Sequence, residues 1–192
     1  MNSTDEILRY KALNKLARRN ATVIFGGSAD CDIPVNELKQ YYELEDIIYN
    51  RSIRNLTAQD AAQAYADCVS ELEPSRVIIH IGEEDAGSIE NDAAFFDKSM
   101  MNLVSAVREN NARCDVIIAS QCGNDEMNRH LKHIADSCRC VYADIMSGAF
   151  SPSAAREALS FLSSLGILRG RDDRASGNNL ARIMLGYEKV LA

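Results

Sequence analysis

Short unbroken apolar runs alternate with longer segments of helical period along this chain. The runs are ATVIF (21–25), DIIYNRS (46–52), SRVIIHIG (75–82), CDVIIAS (114–120) and CVYADI (140–145). They are rich in valine and isoleucine and lack the strict polar alternation of a sheet with one wet face. Runs of this kind suit strands buried on both faces, as in a parallel sheet. Between them lie predicted helices at about 4–19, 34–42, 57–72, 91–110 and 124–138. On the first, Ile7, Tyr10, Leu13 and Leu16 or Ala17 recur on one face. On the third, Ala61, Tyr65, Cys68, Val69 and Leu72 share a stripe. Ser3 with Glu6, and Thr57 with Asp60, have the spacing of a capping box. Ser151 followed by Pro152 starts a further helix. The chain closes on a segment whose Leu180, Ile183, Met184, Tyr187 and Leu191 line one face.

Strands that alternate with helices from end to end imply right-handed crossovers and a parallel sheet covered on both faces. The predicted class is therefore α/β: a three-layer, flavodoxin-like arrangement of five parallel strands. One domain over residues 1–192 is expected, with the N-terminal helix of 1–20 packed on it; no internal repeat or low-complexity stretch divides it. In such sheets ligands bind beyond the carboxyl ends of the strands. The informative loops are those after strands one, two and three, and the one before the last helix.

Composition changes this picture mainly by exclusion. The 192 residues carry a net charge of −7. That balance argues against a general nucleic-acid binder and against docking on an anionic membrane. The N-terminal MNSTDEILRYKALNKLARRN is charged throughout, unlike a signal peptide, and no run approaches the roughly 20 apolar residues of a membrane span. A cytoplasmic protein is expected. The six cysteines form no C-x-x-C pair, so reduced thiols are expected rather than disulfides or zinc. Met100 and Met101, with the Met146 region, read as core.

The stretch TVIFGGSADCD (22–32) carries the candidate chemistry, because it presents Ser28 where the first strand ends. FGGSAD could cradle a phosphate, but it lacks the lysine of a P-loop and the spacing of a dinucleotide fingerprint. Asp30, Asp32, Glu84 and Asp85 could offer oxygen ligands to a hard cation. A salt-bridged loop face accounts for them as well, and neither a metal nor a cofactor is expected.

From about residue 21 to 191 the chain resembles the SGNH/GDSL hydrolase family. That family's first strand ends in Gly-Asp-Ser, here Gly26-Gly27-Ser28. Its second block reads N-x-G-x-x-G-x-T; in YNRSIRNLTAQDA, Asn50, Ile53 and Thr57 fit, while Asn55 stands where the oxyanion-hole glycine belongs. Its third block is Gly-x-Asn-Asp; in HIGEEDA, Gly82 and Asp85 fit and Glu84 replaces the asparagine. Its last block is Asp-x-x-His; RGRD keeps Gly170 and puts Arg169 at the aspartate and Asp172 at the histidine. Asp144 matches an aspartate at the end of the family's fifth strand. The resemblance implies an ester-hydrolase fold with Ser28 as candidate nucleophile and a cleft of Gly27, Asn55, Gly82, Glu84, Asp85, Arg169 and Asp172.

The substitutions remove what that chemistry needs. A serine hydroxyl needs a base within about 2.6–3.2 Å, usually an oriented histidine. A carboxylate at the histidine position is a poor base for an alcohol. Only His80, His130 and His133 exist, none at the family's position. An asparagine amide donates to an oxyanion, whereas an ionised Glu84 only accepts. Glu84 and Asp172 are expected to pair with Arg51, Arg54 or Arg169 across the cleft. Two readings stay open. In one, the protein keeps the fold and a cleft for a small-molecule ligand without Ser-His-Asp activity, Ser28 serving as a turn serine. In the other, it is a serine esterase for small acyl or acetyl esters with a rebuilt catalytic set.

Overall fold

The β-rich runs form the five strands β1 (Thr22–Gly26), β2 (Ile48–Asn50), β3 (Arg76–His80), β4 (Asp115–Ala119) and β5 (Val141–Ala143). In this computed structural model they pair as one parallel sheet of order β2-β1-β3-β4-β5. The described residues are 3–41, 46–121 and 123–144. The helix expected after Ser151 and the closing apolar face lie outside them, as do Met146, Arg169 and Asp172.

Helices α1 (Ser3–Asn14), α2 (Val35–Tyr41), α3 (Ala58–Cys68), α4 (Ile89–Asn110) and α5 (Asp125–Cys138) connect the strands. Alternation along each strand sends Val23, Phe25, Val77, Ile79, Val116 and Ile118 into one apolar core with α3, α4 and α5. The intervening Ile24, Ile78 and Ile117 are buried on the opposite face. Moving from β1 to β2 runs the other way across the sheet from every later step. Right-handed crossovers therefore place α2 on the face opposite α3, α4 and α5. This reversal opens the crevice between the carboxyl ends of β1 and β3.

The α3 stripe is buried as its spacing predicts. Its last turn tightens after Cys68 into the 3-10 segment Ser70–Leu72. Helix α1 differs from expectation. Leu13 and Leu16 are exposed, Leu16 to 86%, and the helix stops at Asn14 rather than near residue 19. Its buried face is Glu6, Tyr10 and Asn14, three polar-tipped side chains spaced by four. Neither capping box forms. The Ser3 hydroxyl donates to the Arg54 carbonyl at 3.1 Å, and Glu6 also bonds Arg54. The Thr57 hydroxyl donates to the Asp60 carboxylate, while Asp85 takes the first α3 N–H. Met100 is core, and Met101 is partly buried against it. No described helix is long and apolar enough to cross a membrane. Cys31, Cys68, Cys114, Cys138 and Cys140 are free thiols.

Candidate functional site

Strand β1 ends at Gly26 and the chain turns at once into a single 3-10 turn, Ser28–Asp30. The Asp30 side chain folds back beneath the strand end. A Cβ on Gly26 would stand 1.7 Å from Asp30 Oδ2, so only glycine fits there. Gly27 has no such neighbour; its nearest atom beyond the local chain is Glu83 Oε2 at 3.9 Å. Ser28 thereby sits in the crevice between β1 and β3.

The Ser28 hydroxyl donates to Glu84 Oε1 at 2.6 Å and accepts the Asn55 N–H at 2.9 Å. Asn55 has φ 56°, the left-handed region where the family places glycine and which asparagine tolerates better than most residues. Its N–H is therefore aimed as an oxyanion donor would be, but Ser28 itself takes it. The neighbouring Ala29 N–H donates to Glu83 Oε2 at 3.0 Å. Two backbone donors and the hydroxyl are thus satisfied from within the chain.

Helix α1 holds the loop that carries Asn55. The Glu6 carboxylate, almost fully buried, accepts the Arg54 backbone N–H at 2.8 Å and pairs with the Arg54 guanidinium. The Tyr10 hydroxyl donates to the Ser52 carbonyl at 2.7 Å, and the Asn14 amide donates to the Cys68 carbonyl. Ser52 Oγ in turn accepts the Gly26 N–H, and the Asn50 side chain bridges the Asp30 carbonyl and the Ser52 N–H. Burial pushes the Tyr10 hydroxyl up to about 12, with Cys31 and Glu6 adding to the shift.

Arg51 and Arg54 are bonded elsewhere than to Glu84, and Arg169 lies outside the described residues. Arg51 is buried, its guanidinium over the rings of Tyr10 and Tyr49, and it donates to Asn14 and to the Asn50 carbonyl. Burial holds it below the usual arginine value. Arg54 is held by Glu6 and, at 2.8 Å, by Asp32. The buried polar face of α1 takes both, through Asn14 and Glu6.

The four candidate oxygen ligands are likewise dispersed: Asp30 to His80, Asp32 to Arg54, Glu84 to Ser28 and Asp85 to Ala58. No group of three or more histidine, cysteine or carboxylate side chains among the described residues could hold a metal ion. Burial raises Asp85 against the lowering effect of its bond from Ala58. Gly82, at φ 135°, opens the loop that carries Glu83 and Glu84, and a Cβ there would stand 3.0 Å from Met127 Sδ.

No histidine hydrogen-bonds Ser28. His80 Nδ1 lies 2.9 Å from both Asp30 carboxylate oxygens, and Nε2 lies 3.1 Å from the Ser120 carbonyl. His130 pairs with Asp97, and His133 is exposed on α5. Asp144 accepts from the Ser120 hydroxyl at 3.2 Å. The Asp30–His80 pair and the roles of Glu6 and Glu83 escaped sequence reasoning. The one available signal was an aspartate four residues beyond a strand-ending glycine.

The sheet order and a serine turn at the reversal of β1 and β3 define an α/β protein with the SGNH/GDSL hydrolase fold. Solved structures of GDSL-like lipases and of esterases superpose on nearly the whole chain. A GDSL-like lipase of Bacteroides thetaiotaomicron matches with a TM-score of 0.64 at 12% identity, over 96% of each chain. The psychrotrophic esterase EstA of a Pseudoalteromonas species matches with 0.59 at 15%, over 89% of this chain and 98% of its own. A catalytic mutant of the acetylxylan esterase Axe2 of Geobacillus stearothermophilus matches with 0.53 at 20%, over 92% and 96%. No protein-family model and no curated protein sequence matches the chain.

Proposed function

We propose that this protein is an SGNH-type scaffold whose cleft binds a small molecule and lacks Ser-His-Asp esterase activity. The observation that carries this reading is the Ser28 hydroxyl bonded to Glu84 at 2.6 Å, with all three histidines of the chain elsewhere. A neutral imidazole beside a serine takes its proton and returns it to the leaving group. A carboxylate is a much weaker base toward an alcohol, and its negative charge opposes the oxyanion that attack would create. Losing one oxyanion donor costs roughly 10²–10³ in rate. Here the amide donor's position carries an acceptor, and the Asn55 and Ala29 N–H groups are already spent.

The test is labelling with a fluorophosphonate and turnover of short-chain nitrophenyl esters. No stoichiometric labelling and no hydrolysis above a Ser28→Ala control are expected. Stoichiometric labelling abolished by Ser28→Ala would establish the rebuilt esterase instead.

A further inference from the structure

We infer that Asp30 and His80 form a carboxylate–imidazolium pair, charged at neutral pH, that positions the Ser28 turn. The pair lies outside the hydrogen bonds of Ser28 itself, so the inference holds whether or not that serine reacts. Asp30 has no exposed surface and His80 is 3% exposed. The Ser120 carbonyl at His80 Nε2 can only accept, so that nitrogen carries a proton. Nδ1 stands 2.9 Å from each Asp30 oxygen. An N–H at Nδ1 can be shared between those two oxygens. Both ring nitrogens are then donors, and the cation balances a carboxylate that burial would otherwise penalise heavily.

The surroundings agree in sign. Burial by itself would lower His80, but the charge and hydrogen bond of Asp30, the Ser120 carbonyl and the charge of Glu83 together raise it. Glu83 faces it from the β3–α4 loop, and Asp144 stands behind Ser120 at the end of β5. Cys31 follows Asp30 in the chain, and burial pushes its thiol up to about 12, leaving it neutral.

Positioning follows from where Asp30 is anchored. Its side chain reaches β3 beneath Gly26, its carbonyl accepts from Asn50 at the end of β2, and its N–H donates to the Gly27 carbonyl. Three neighbouring strands therefore meet at the last residue of a three-residue turn whose first residue is Ser28. Removing the charge on either partner removes the attraction between them, and the turn loses that hold on β3.

Full-length protein labelled with 15N-histidine answers this by long-range 1H–15N spectra between pH 5 and 9. At pH 7.5, where an ordinary exposed imidazole is mostly neutral, His80 should still show both ring nitrogens protonated. A neutral His80 at that pH overturns the charged pair. Asp30→Asn keeps the shape and removes the charge. It should lower the titration of His80 by about one pH unit or more, a tenfold loss of proton affinity. It should also speed exchange of the Ala29 and Asn55 amides about tenfold relative to the interior of α5. Unchanged exchange at those two amides overturns the positioning role. Should Asp30→Asn fail to fold, the wild-type titration decides the charge state. Wild-type exchange at Ala29 and Asn55, faster as His80 loses its proton or flat across it, then decides the positioning.

Discussion

At Gly26 and Gly27 two identical residues do different work. A methyl group at Gly26 meets the Asp30 carboxylate at 1.7 Å, whereas one at Gly27 meets nothing closer than 3.9 Å. Gly26→Ala must displace Asp30 from His80, combining overpacking with a broken buried ion pair. The expected cost is about 3 kcal/mol or more, read by urea denaturation. Gly27→Ala, at φ −90°, should stay within about 1 kcal/mol of wild type in the same assay. Equal losses at both positions would contradict this account of the turn. Ser28 is set by the same economy of space. Its hydroxyl has one good acceptor and one good donor, and neither is an imidazole.

Helix α1 shows how an element can be read correctly in kind and wrongly in face. Its capping-box letters and apolar spacing are genuine, yet Glu6, Tyr10 and Asn14 are the residues turned inward. They are buried because the loop at 51–56 exposes carbonyls, an N–H and a guanidinium that need partners, and a buried polar pair is tolerated only when satisfied. Glu6→Ala removes two bonds from Arg54 to a carboxylate, one of them an ion pair. A loss of about 2–3 kcal/mol is expected by urea denaturation. Faster exchange of the Asn55 amide should accompany it. Leu16→Ser, by contrast, should change stability by no more than about 0.5 kcal/mol, because that side chain is exposed. Helix α3 kept its predicted stripe because its partners are apolar and its burial follows from period alone. Arg51 and Arg54 bond to α1 and Asp32 rather than to Glu84 for the reason that made the α1 face unreadable: partners in a polar network are assigned by three-dimensional proximity, not by complementary charge in the sequence.

For the molecule as a whole, the buried pair links stability to pH. His80 is raised in the folded state, so its contribution is fully present below the unfolded value of about 6.5. It is lost as pH rises through the folded value. Unfolding free energy should therefore fall with increasing pH above about 6.5, by up to about 1.4 kcal/mol per pH unit for this proton. Urea midpoints measured from pH 6 to 9 check it. The slope should shrink in Asp30→Asn, since that variant lowers the folded value. A wild-type stability that rises through this window would contradict the assignment.

The alternation of β-branched runs with helical periods determined the class, the five strands and the place to look, since backbone pairing and burial on both faces act on local pattern. The pattern located the loops after the first three strands, and the resemblance to the SGNH/GDSL family picked Ser28, Asn55 and Glu84 out of them. Only the tertiary structure decided what those groups do to one another. It set the serine hydroxyl to donate to Glu84, the Asn55 N–H to the serine, Arg54 to Glu6, and the single strand-borne histidine to Asp30. Such bonds depend on ångström-scale proximity between segments up to 56 residues apart, and hydropathy along a chain holds no record of that distance.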